Sequence, residues 1–202
     1  MQHTRHRRET GCGCDLAGAA VIGSFYPREK REPANQESIM SRHELEAAVA
    51  AHPFVLGLSE HHIRLLADCA MQTQFETGHV IFRQGETANR FYLIDQGKVA
   101  LDSSAQDEQP VMIDEIGDGD LLGWSWLFPP YIWHFTAHAL TPTTGIFFYA
   151  TVLREYCERD QALGFELFKR MSEVMMRRLQ AARVRLLDVY AANPGLAKPS
   201  RG

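Results

Sequence analysis

Glycine-bearing turns divide residues 71–149 into short runs rich in β-branched and aromatic side chains, and this spacing constrains the fold more than any other feature of the sequence. A short apolar run that ends at glycine and polar residues is typical of a strand followed by a tight turn. About eight strands fit into the segment, as in an all-β roll or sandwich. The runs that predict strands are Met71–Phe75, Val80–Phe82, Phe91–Ile94, Val99–Leu101, Val111–Ile116, Phe135–Ala139 and Ile146–Tyr149.

Turn residues between these runs carry further predictions. Gln96-Gly97 suits a tight hairpin turn between the strands on either side of it. The segment 141–145 contains Pro and Gly, and we expect it to form a turn before the last strand. Asp118 and Asp120 stand between glycines, where turn residues that bond their own backbone are a better interpretation than a carboxylate pair for acid–base catalysis.

Helical patterns precede and follow the strands. Ser41 is a suitable N-cap with Glu44 as its capping-box partner, and Ser59 caps a second short helix. After the strands, residues 151–158 predict a short helix and residues 162–190 a long one. Apolar residues recur along the long helix in steps of four and three, which is typical of a heptad seam and predicts a homodimer. The seam residues are Met175, Leu179, Ala182, Leu186 and Val189.

The composition is that of one globular domain with extensions. The chain has 202 residues, of which 45% are hydrophobic and 23% charged, and its formal net charge is −4 at pH 7. Such a charge gives no general attraction to nucleic acid or to anionic lipid. No apolar run is long enough to cross a bilayer, and few cysteines are present, so we expect a cytoplasmic protein that contacts neither membrane nor DNA directly.

Residues 1–38 mix Arg, Glu, Gly and Pro without an apolar period, so we expect a disordered tail there. Because the foldable pattern begins immediately after Met40, that residue is an alternative to Met1 as the natural start. The predicted organisation after the tail is a β-roll with its N-terminal helices over 39–161, the long dimerisation helix over 162–190 and a second disordered tail over 191–202.

Metal and catalytic sites are not expected. Cys12 and Cys14 cannot complete a four-ligand site by themselves, and their role stays open. His61 and His62 are neighbours on a helix and point in different directions, which argues against a shared metal. The sequence holds no nucleophile–base pair, phosphate loop or zinc signature. We therefore expect a non-enzymatic protein without a metal or a bound cofactor.

An ordered series of motifs crosses the strand region. The motifs are Phe75-x-x-Gly78, Ile81-Phe82-Arg83-Gln84-Gly85-Glu86, Phe91-Tyr92-Leu93-Ile94, Gly97-Lys98-Val99 and Gly117-Asp118-Gly119-Asp120-Leu121-Leu122-Gly123. This series resembles the cyclic nucleotide-binding domain family, as it occurs in bacterial regulators of the catabolite activator type, and the match runs from about Pro53 to Tyr190. The resemblance implies a jelly-roll-like, eight-stranded β-roll, a phosphate-binding cassette between two strands, and a long C-terminal helix that dimerises and caps the ligand.

The cassette departs from the family's nucleotide binders at two positions. Those proteins place a glutamate directly after the cassette glycine, for the ribose, and an arginine further along, for the cyclic phosphate. Here Trp124 follows Gly123, and the arginine position falls near Trp133, with His134 beside it. A buried phosphate without a charged partner is costly, so we do not expect tight binding of cAMP or cGMP. The candidate ligand-binding residues are Gly119, Leu122, Gly123, Trp124, Ser125, Trp126, Trp133 and His134.

The segment 117–139 holds all three tryptophans of the chain, and its role stays open between two interpretations. Its rings would line a pocket for another small-molecule effector in a regulatory module, or would fill a ligand-free cassette in a constitutive interaction or scaffold protein. In the first case a short helical turn at 123–127, ended by Pro129-Pro130, would offer free N–H groups to an anion, with His134 as a titratable charge.

Direct DNA binding is not expected. Regulators of the catabolite activator type carry a helix-turn-helix domain after the dimer helix, whereas only about a dozen residues follow Tyr190 in this sequence. Transcriptional regulation would therefore require a separate DNA-binding partner.

Overall fold

A computed structural model describes residues 40–103 and 110–193 and shows two antiparallel sheets of four strands, preceded and followed by helices. The predicted tail 1–38, most of the tail 191–202, and the candidate residues Cys12, Cys14 and Met1 lie outside the described residues. In chain order the elements are α1 (Arg42–Ala51), a first 3₁₀ turn (Pro53–Val55), α2 (Glu60–Asp68), β1 (Ala70–Phe75), β2 (Val80–Phe82), β3 (Arg90–Gln96), β4 (Val99–Ser103), β5 (Val111–Ile116), β6 (Leu121–Leu122), a second 3₁₀ turn (Ser125–Leu127), β7 (Thr136–Ala139), β8 (Thr143–Tyr149), α3 (Ala150–Arg159) and α4 (Gln161–Ala192).

The first two helices begin where their capping residues predict. Ser41 Oγ accepts a hydrogen bond from Glu44 N at 3.3 Å, and Glu44 Oε2 accepts one from Ser41 N at 2.7 Å, which completes the capping box. Ser59 Oγ accepts from His62 N at 3.2 Å at the start of α2. Helix α1 ends at Ala51, before Pro53, because a proline disfavours helical backbone at the preceding residue.

The two sheets form the predicted eight-stranded roll. One sheet has the strand order β1-β8-β3-β6, and the other has the order β2-β7-β4-β5. Buried residues from both sheets and from the helices make one continuous hydrophobic core. The two-residue strand β6 is an edge strand and leads directly into the cassette.

The predicted hairpin at Gln96-Gly97 is wrong. The turn is tight, but β3 pairs with β6 and β8 while β4 pairs with β5 and β7, so the chain crosses from one sheet to the other at this point. A Cβ atom on Gly97 would lie 2.5 Å from Thr143 Oγ1. The glycine is therefore required by the close approach of the two sheets and not by a hairpin.

The predicted turn at 141–145 is shorter than expected, because β8 already begins at Thr143. Gly145 lies inside the strand, where it pairs with Thr73 of β1 and Ile94 of β3. A Cβ atom at this position would collide with the carbonyl oxygen of Leu93. Gly145 thus allows a close backbone approach in the middle of a sheet.

Helix α4 has 32 residues and a length of about 48 Å. Asp160 is its N-cap, and Asp160 Oδ1 accepts from the backbone N–H groups of Ala162 and Leu163, each at 3.1 Å. The first half packs on the roll through a buried face, whereas all residues from 179 to 193 are exposed. The buried residues of this face are Leu163, Leu167, Met171 and Val174.

Candidate functional site

The segment 117–139 begins at the turn between β5 and β6. Backbone hydrogen bonds join this turn to the end of β3, since Gly119 N donates to Ile94 O at 2.8 Å and Ile94 N donates to Asp120 O at 2.9 Å. Asp118 Oδ1 accepts from Gly97 N at 2.7 Å. The aspartates therefore lie in a structural turn, where a carboxylate that accepts a backbone N–H group stabilises the chain reversal.

Trp133 fills the space beneath the cassette glycine. Its side chain is 4% exposed, and its ring stacks on that of Phe82 with centroids 3.8 Å apart and an interplanar angle of 10°. A Cβ atom on Gly123 would lie 2.6 Å from Trp133 Cζ3, so the ring contacts the bare backbone of the glycine. Backbone hydrogen bonds of 2.8 Å from Trp133 N to Glu86 O and from Gly85 N to Trp133 O fix its position. The tryptophan ring is part of the packed core.

Trp126 belongs to a second aromatic stack. Its side chain is 1% exposed and lies 5.3 Å from the ring of Phe91, which in turn stacks on Phe148 at 4.5 Å. Arg154 Nη1 donates to Trp126 O at 3.0 Å, and the Arg154 guanidinium lies 4.5 Å from the ring centroid of Tyr131. Trp126 and Trp133 thus pack on different strand side chains.

Ser125 and His134 join the two ends of the cassette loop. Ser125 Oγ lies 3.2 Å from His134 Nδ1, within hydrogen-bond distance. The serine is buried and the histidine is exposed. This contact holds the second 3₁₀ turn against the start of β7, and it uses one of the two nitrogens that the imidazole would offer to a ligand.

Trp124 lies at the boundary between the cassette and helix α4. The guanidinium of Arg178 lies 5.0 Å from the Trp124 ring centroid, in a cation–π contact. Arg178 Nη2 also donates a hydrogen bond to the carbonyl oxygen of Leu121, on the edge strand β6. Arg178 therefore connects α4 to both sides of the cassette glycine. We refer to the Arg178 contacts with Trp124 and Leu121 as the arginine latch.

The arginine latch is largely removed from water. The Arg178 side chain is 15% exposed, and burial lowers the pKa of its guanidinium, against the opposing effect of the Asp114 and Asp120 carboxylates. Arg178 Nε lies 4.0 Å from Asp114 Oδ2, and Arg185 Nη2 lies 2.6 Å from the other oxygen of Asp114. Arg185 Nη1 also donates to Ile113 O at 2.7 Å. Two arginines thus dock α4 on β5 and β6.

Arg178 was missed by the sequence analysis as a functional residue, because it belongs to a run of charged residues typical of a solvated helix face. The position of Arg178 along α4 nevertheless indicates that it lies on the buried face of the helix. Arg178 follows Met171 by seven residues and Val174 by four, which places it on the same face of α4 as the buried residues. An arginine in line with a buried stripe is a candidate for an interaction with the protein interior.

The predicted ligand-binding residues divide into two groups. Gly123, Trp124, Ser125, Trp133 and His134 lie together around the cassette, as the Gly123–Trp133 and Ser125–His134 contacts show. The other positions lie in structural contacts: Gly119 at Pro53 of the first 3₁₀ turn, Leu122 opposite Tyr92 in β3, and Trp126 in the second aromatic stack.

The predicted dimer seam lies on an uncovered side of α4. Leu179, Leu186 and Val189 are 66%, 51% and 49% exposed, and Ala182 is also exposed. Met175, at the start of the seam, is partly buried against the core. The seam is therefore available to a second chain along most of its length.

Other candidate residues play local roles. The expectation that His61 and His62 point in different directions is wrong, because their Nε2 atoms lie 3.4 and 3.3 Å from the same oxygen, Oδ2 of Asp160, the cap of α4. Burial raises the pKa of Cys69 to about 12 and that of Cys157 to about 11, which disfavours a reactive thiolate at either position.

Within residues 40–103 and 110–193, no group of three or more His, Cys, Asp or Glu side chains could hold a metal ion. Among the helices that the structure describes, none is long and apolar enough to span a membrane.

Comparison with known proteins places this geometry in a family. Residues 72–160 match the model of the cyclic nucleotide-binding domain. A CRP-like cAMP-activated global transcriptional regulator of Mycobacterium tuberculosis is 26% identical over 140 residues, which cover 69% of this chain and 61% of that protein. The chain thus matches less than two thirds of the length of this relative.

Solved structures show the same fold. A Geobacter metallireducens protein described as cyclic nucleotide-binding matches with a TM-score of 0.59 and 27% identity, over 70% of this chain and 99% of that one. The regulatory subunit of a cAMP-independent protein kinase A from Trypanosoma brucei matches with a TM-score of 0.54 and 24% identity, over 65% of this chain and 47% of that one. The predicted family is confirmed: the chain contains a domain of the cyclic nucleotide-binding family, with homology to CRP-like regulators.

Proposed function

We propose that this chain is a non-enzymatic, cytoplasmic regulatory module whose cassette is closed by its own aromatic side chains and whose output is the position of α4 in a homodimer. The observation that carries the proposal is the packing of Trp133. Its ring occupies the space between Phe82 and Gly123. The resemblance to the family's nucleotide binders puts their phosphate-binding arginine near this position.

The chemistry of the cassette argues against a cyclic nucleotide as its ligand. Trp124 and Trp133 supply an apolar surface where a ribose and a phosphate need polar or charged partners. Among the described residues, two guanidinium groups contact the cassette and both are engaged, that of Arg178 with Trp124 and Leu121 O and that of Arg154 with Trp126 O. The same fold occurs in a Trypanosoma brucei kinase subunit described as cAMP-independent, which is consistent with a regulatory role without this ligand.

The arginine latch supports a regulatory role for α4. A conformational change that displaces Trp124 would remove the cation–π contact of Arg178, and the buried guanidinium would then favour an outward movement of the helix. Through this one side chain, the conformation of the cassette would influence the equilibrium between α4 docked on the roll and α4 released from it.

Self-association through α4 is supported by an apolar line longer than the sequence prediction. Phe165 and Phe168 are 66% and 50% exposed. They continue the alternating steps of three and four towards the start of α4, because Ser172 follows Phe168 by four residues and precedes Met175 by three. The extended seam therefore runs from Phe165 to Val189. Its length exceeds three heptads, which is sufficient for a two-stranded coiled coil.

Isothermal titration calorimetry with cAMP and cGMP tests the closed cassette. We expect no binding heat from the natural chain, because Trp124 and Trp133 supply no charged partner to the ribose or the phosphate. Binding of either nucleotide by the natural chain with a Kd below about 10 µM would overturn the proposal.

A constitutive interaction protein is a second candidate function. It is favoured by the edge strand β5, on which three consecutive apolar residues, Val111, Met112 and Ile113, are 62%, 55% and 37% exposed. An exposed apolar edge strand offers main-chain and side-chain contacts to a partner. A module of this kind would keep α4 docked under all conditions, so hydrogen exchange in α4 that is insensitive to effectors and to partner binding would favour it.

A further inference from the structure

A pocket of about 540 Å³ that is open to solvent lies between the first 3₁₀ turn and helix α4, outside the cassette, and is referred to as the cavity. This volume lies within the range of small-molecule sites. Its lining combines apolar side chains, of which Phe54 and Val174 are buried, with charged side chains of α4. The lining residues are Pro53, Phe54, Arg170, Glu173, Val174, Met176 and Arg177.

The charged residues of this cavity differ in whether they have partners. Arg170 is engaged, since its Nη1 donates to Phe54 O at 2.9 Å and its Nε lies 3.6 Å from Glu166 Oε2. The side chains of Glu173 and Arg177 show no hydrogen bond or ion pair within the described part of the chain. They lie four residues apart on α4, on neighbouring turns of the same face. The exposed carboxylate of Glu173 and the exposed guanidinium of Arg177 thus line the same cavity as the buried side chains of Phe54 and Val174.

The positive charge of Arg177 also disfavours the arginine latch. Burial is the main cause that lowers the pKa of the Arg178 guanidinium, and the charge of the adjacent Arg177 acts in the same direction. A carboxylate bound to Arg177 would compensate this like-charge repulsion. A ligand in the cavity would also contact both the first 3₁₀ turn and α4, and contacts of this kind favour the docked position of the helix.

The opposite wall of the cavity is connected to the cassette. His52 Nδ1 accepts from Phe54 N at 3.2 Å, so Nε2 carries the proton and donates to Ile94 O at 3.3 Å. Ile94 O also accepts from Gly119 N, at the turn before β6. A Cβ atom on Gly119 would lie 3.4 Å from Pro53 Cγ, which shows how closely the first 3₁₀ turn packs on the cassette turn. A ligand in the cavity would thus contact both α4 and the element that supports the cassette.

We propose that this cavity binds a free α-amino acid with an apolar side chain, with its carboxylate on Arg177, its ammonium group on Glu173, and its side chain on Phe54 and Val174. The two unpaired charges fit the two charges of a zwitterion, and the apolar part of the lining fits an apolar side chain. The inference rests on the proposed function, since it gives the closed-cassette module an effector site outside the cassette. Occupation favours docked α4.

NMR titration of the full chain with L-phenylalanine and L-leucine tests the site. We expect saturable amide shifts at Phe54 and Val174, with a Kd of about 1 mM or lower. N-acetyl-phenylalanine lacks the ammonium group and phenylalanine amide lacks the carboxylate, and each should bind at least about tenfold more weakly. The variant Arg177→Gln should lose a similar factor, whereas Arg183→Gln, an exposed arginine of α4 that does not line the cavity, should bind as the natural chain does.

Three results would overturn this assignment. They are the absence of shifts for both amino acids up to about 10 mM, equal binding of the blocked analogues, and equal binding by Arg177→Gln. The nucleotide calorimetry is independent of all three. Failure of amino-acid binding leaves the closed cassette in place, and nucleotide binding by the natural chain overturns the closed cassette whatever the cavity binds.

Discussion

Trp133 of the cassette and Leu179 of α4 are both large apolar side chains at candidate functional positions, but the first is 4% exposed and the second 66%. The cassette uses its aromatic rings to complete the core, while α4 presents apolar residues that no described part of the chain covers. In a domain of this family the cassette is the part that would receive a ligand. Here the surface free for a new contact lies on the helix instead.

Truncating Trp133 is the strongest test of this difference. Trp133→Ala should reduce the free energy of unfolding by about 3–5 kcal/mol, because it removes a buried ring from between Phe82 and Gly123. Trp124→Ala is the comparison variant and should cost less, about 1–2 kcal/mol, because that ring is only partly buried against the core and also contacts Arg178. Urea denaturation measures both values. Equal losses would show that the cassette is not packed as a core.

Charged substitutions in the seam test whether the exposed apolar side of α4 is a contact surface for a second chain. The double variant Leu179→Glu, Leu186→Glu should weaken self-association by about a hundredfold or more, because an apolar helix interface does not accommodate unpaired carboxylates. Leu187→Glu is a control, since Leu187 is 55% exposed but lies outside the alternating seam. Sedimentation velocity over a range of concentrations distinguishes them, and an unchanged profile for the double variant would refute the seam.

Alanine substitutions at two glycines with the same backbone conformation distinguish the cost of backbone strain from the cost of a steric contact with the core. Gly123 has φ +85° and lies against the Trp133 ring, while Gly85 has φ +86° and a Cβ atom there would meet nothing within 4 Å. Both alanine variants pay the conformational cost of positive φ, about 1 kcal/mol. Gly123→Ala should lose about 1–3 kcal/mol more, because the new methyl group displaces the indole. If both variants lose equal stability in urea denaturation, the Trp133 ring does not constrain the glycine.

The smallest expected effect is a pH dependence of stability that arises from His52, whose hydrogen bonds join Phe54 of the first 3₁₀ turn to Ile94 of β3. Burial lowers the pKa of His52 from 6.5, against weaker opposing effects of its hydrogen bond to Ile94 O and of the Asp95 and Asp120 carboxylates. The unfolded chain therefore binds a proton more readily than the folded one, so stability is lost as the pH falls from about 6.5 through the lower folded pKa. Between pH 7.5 and 5.5 we therefore expect a loss of stability from this residue, with an upper bound of about 1.4 kcal/mol because one imidazole binds one proton.

His52→Asn is the control for this pH dependence. Asparagine retains an acceptor for Phe54 N but does not titrate. The difference between the urea midpoints of the natural chain and the variant, followed across this pH range, measures the contribution of His52. An identical pH profile for the two chains would exclude it.

Local signals in the sequence predict most of the fold. The capping residues Ser41 and Ser59 fix two helix starts, and glycine-bearing turns separate the strands, because both depend on short-range backbone geometry. The hairpin at Gly97 is wrong because a tight turn does not determine whether the strands on either side of it pair. That choice depends on the close contact with Thr143, a residue distant in sequence.

The cassette is less predictable than the fold for the same reason. The residue types at 124 and 133 indicate a departure from nucleotide binding, but the stack of Trp133 on Phe82 joins residues about fifty positions apart, and the sequence does not specify it. The contact of Arg178 with Trp124 likewise depends on where α4 crosses the roll. A helical period identifies the buried face of α4 but not the residue that it meets.

The contact between Gly123 and Trp133 has a consequence for any large-scale mutational survey of this chain. A survey that scores cellular abundance should rank Gly123 among the sensitive core positions, although the glycine belongs to a loop, because the nearest atoms to its missing side chain are those of a buried indole. Loss of signalling in such variants would then report the amount of folded protein. A change in effector recognition should be inferred at this position only after abundance has been taken into account.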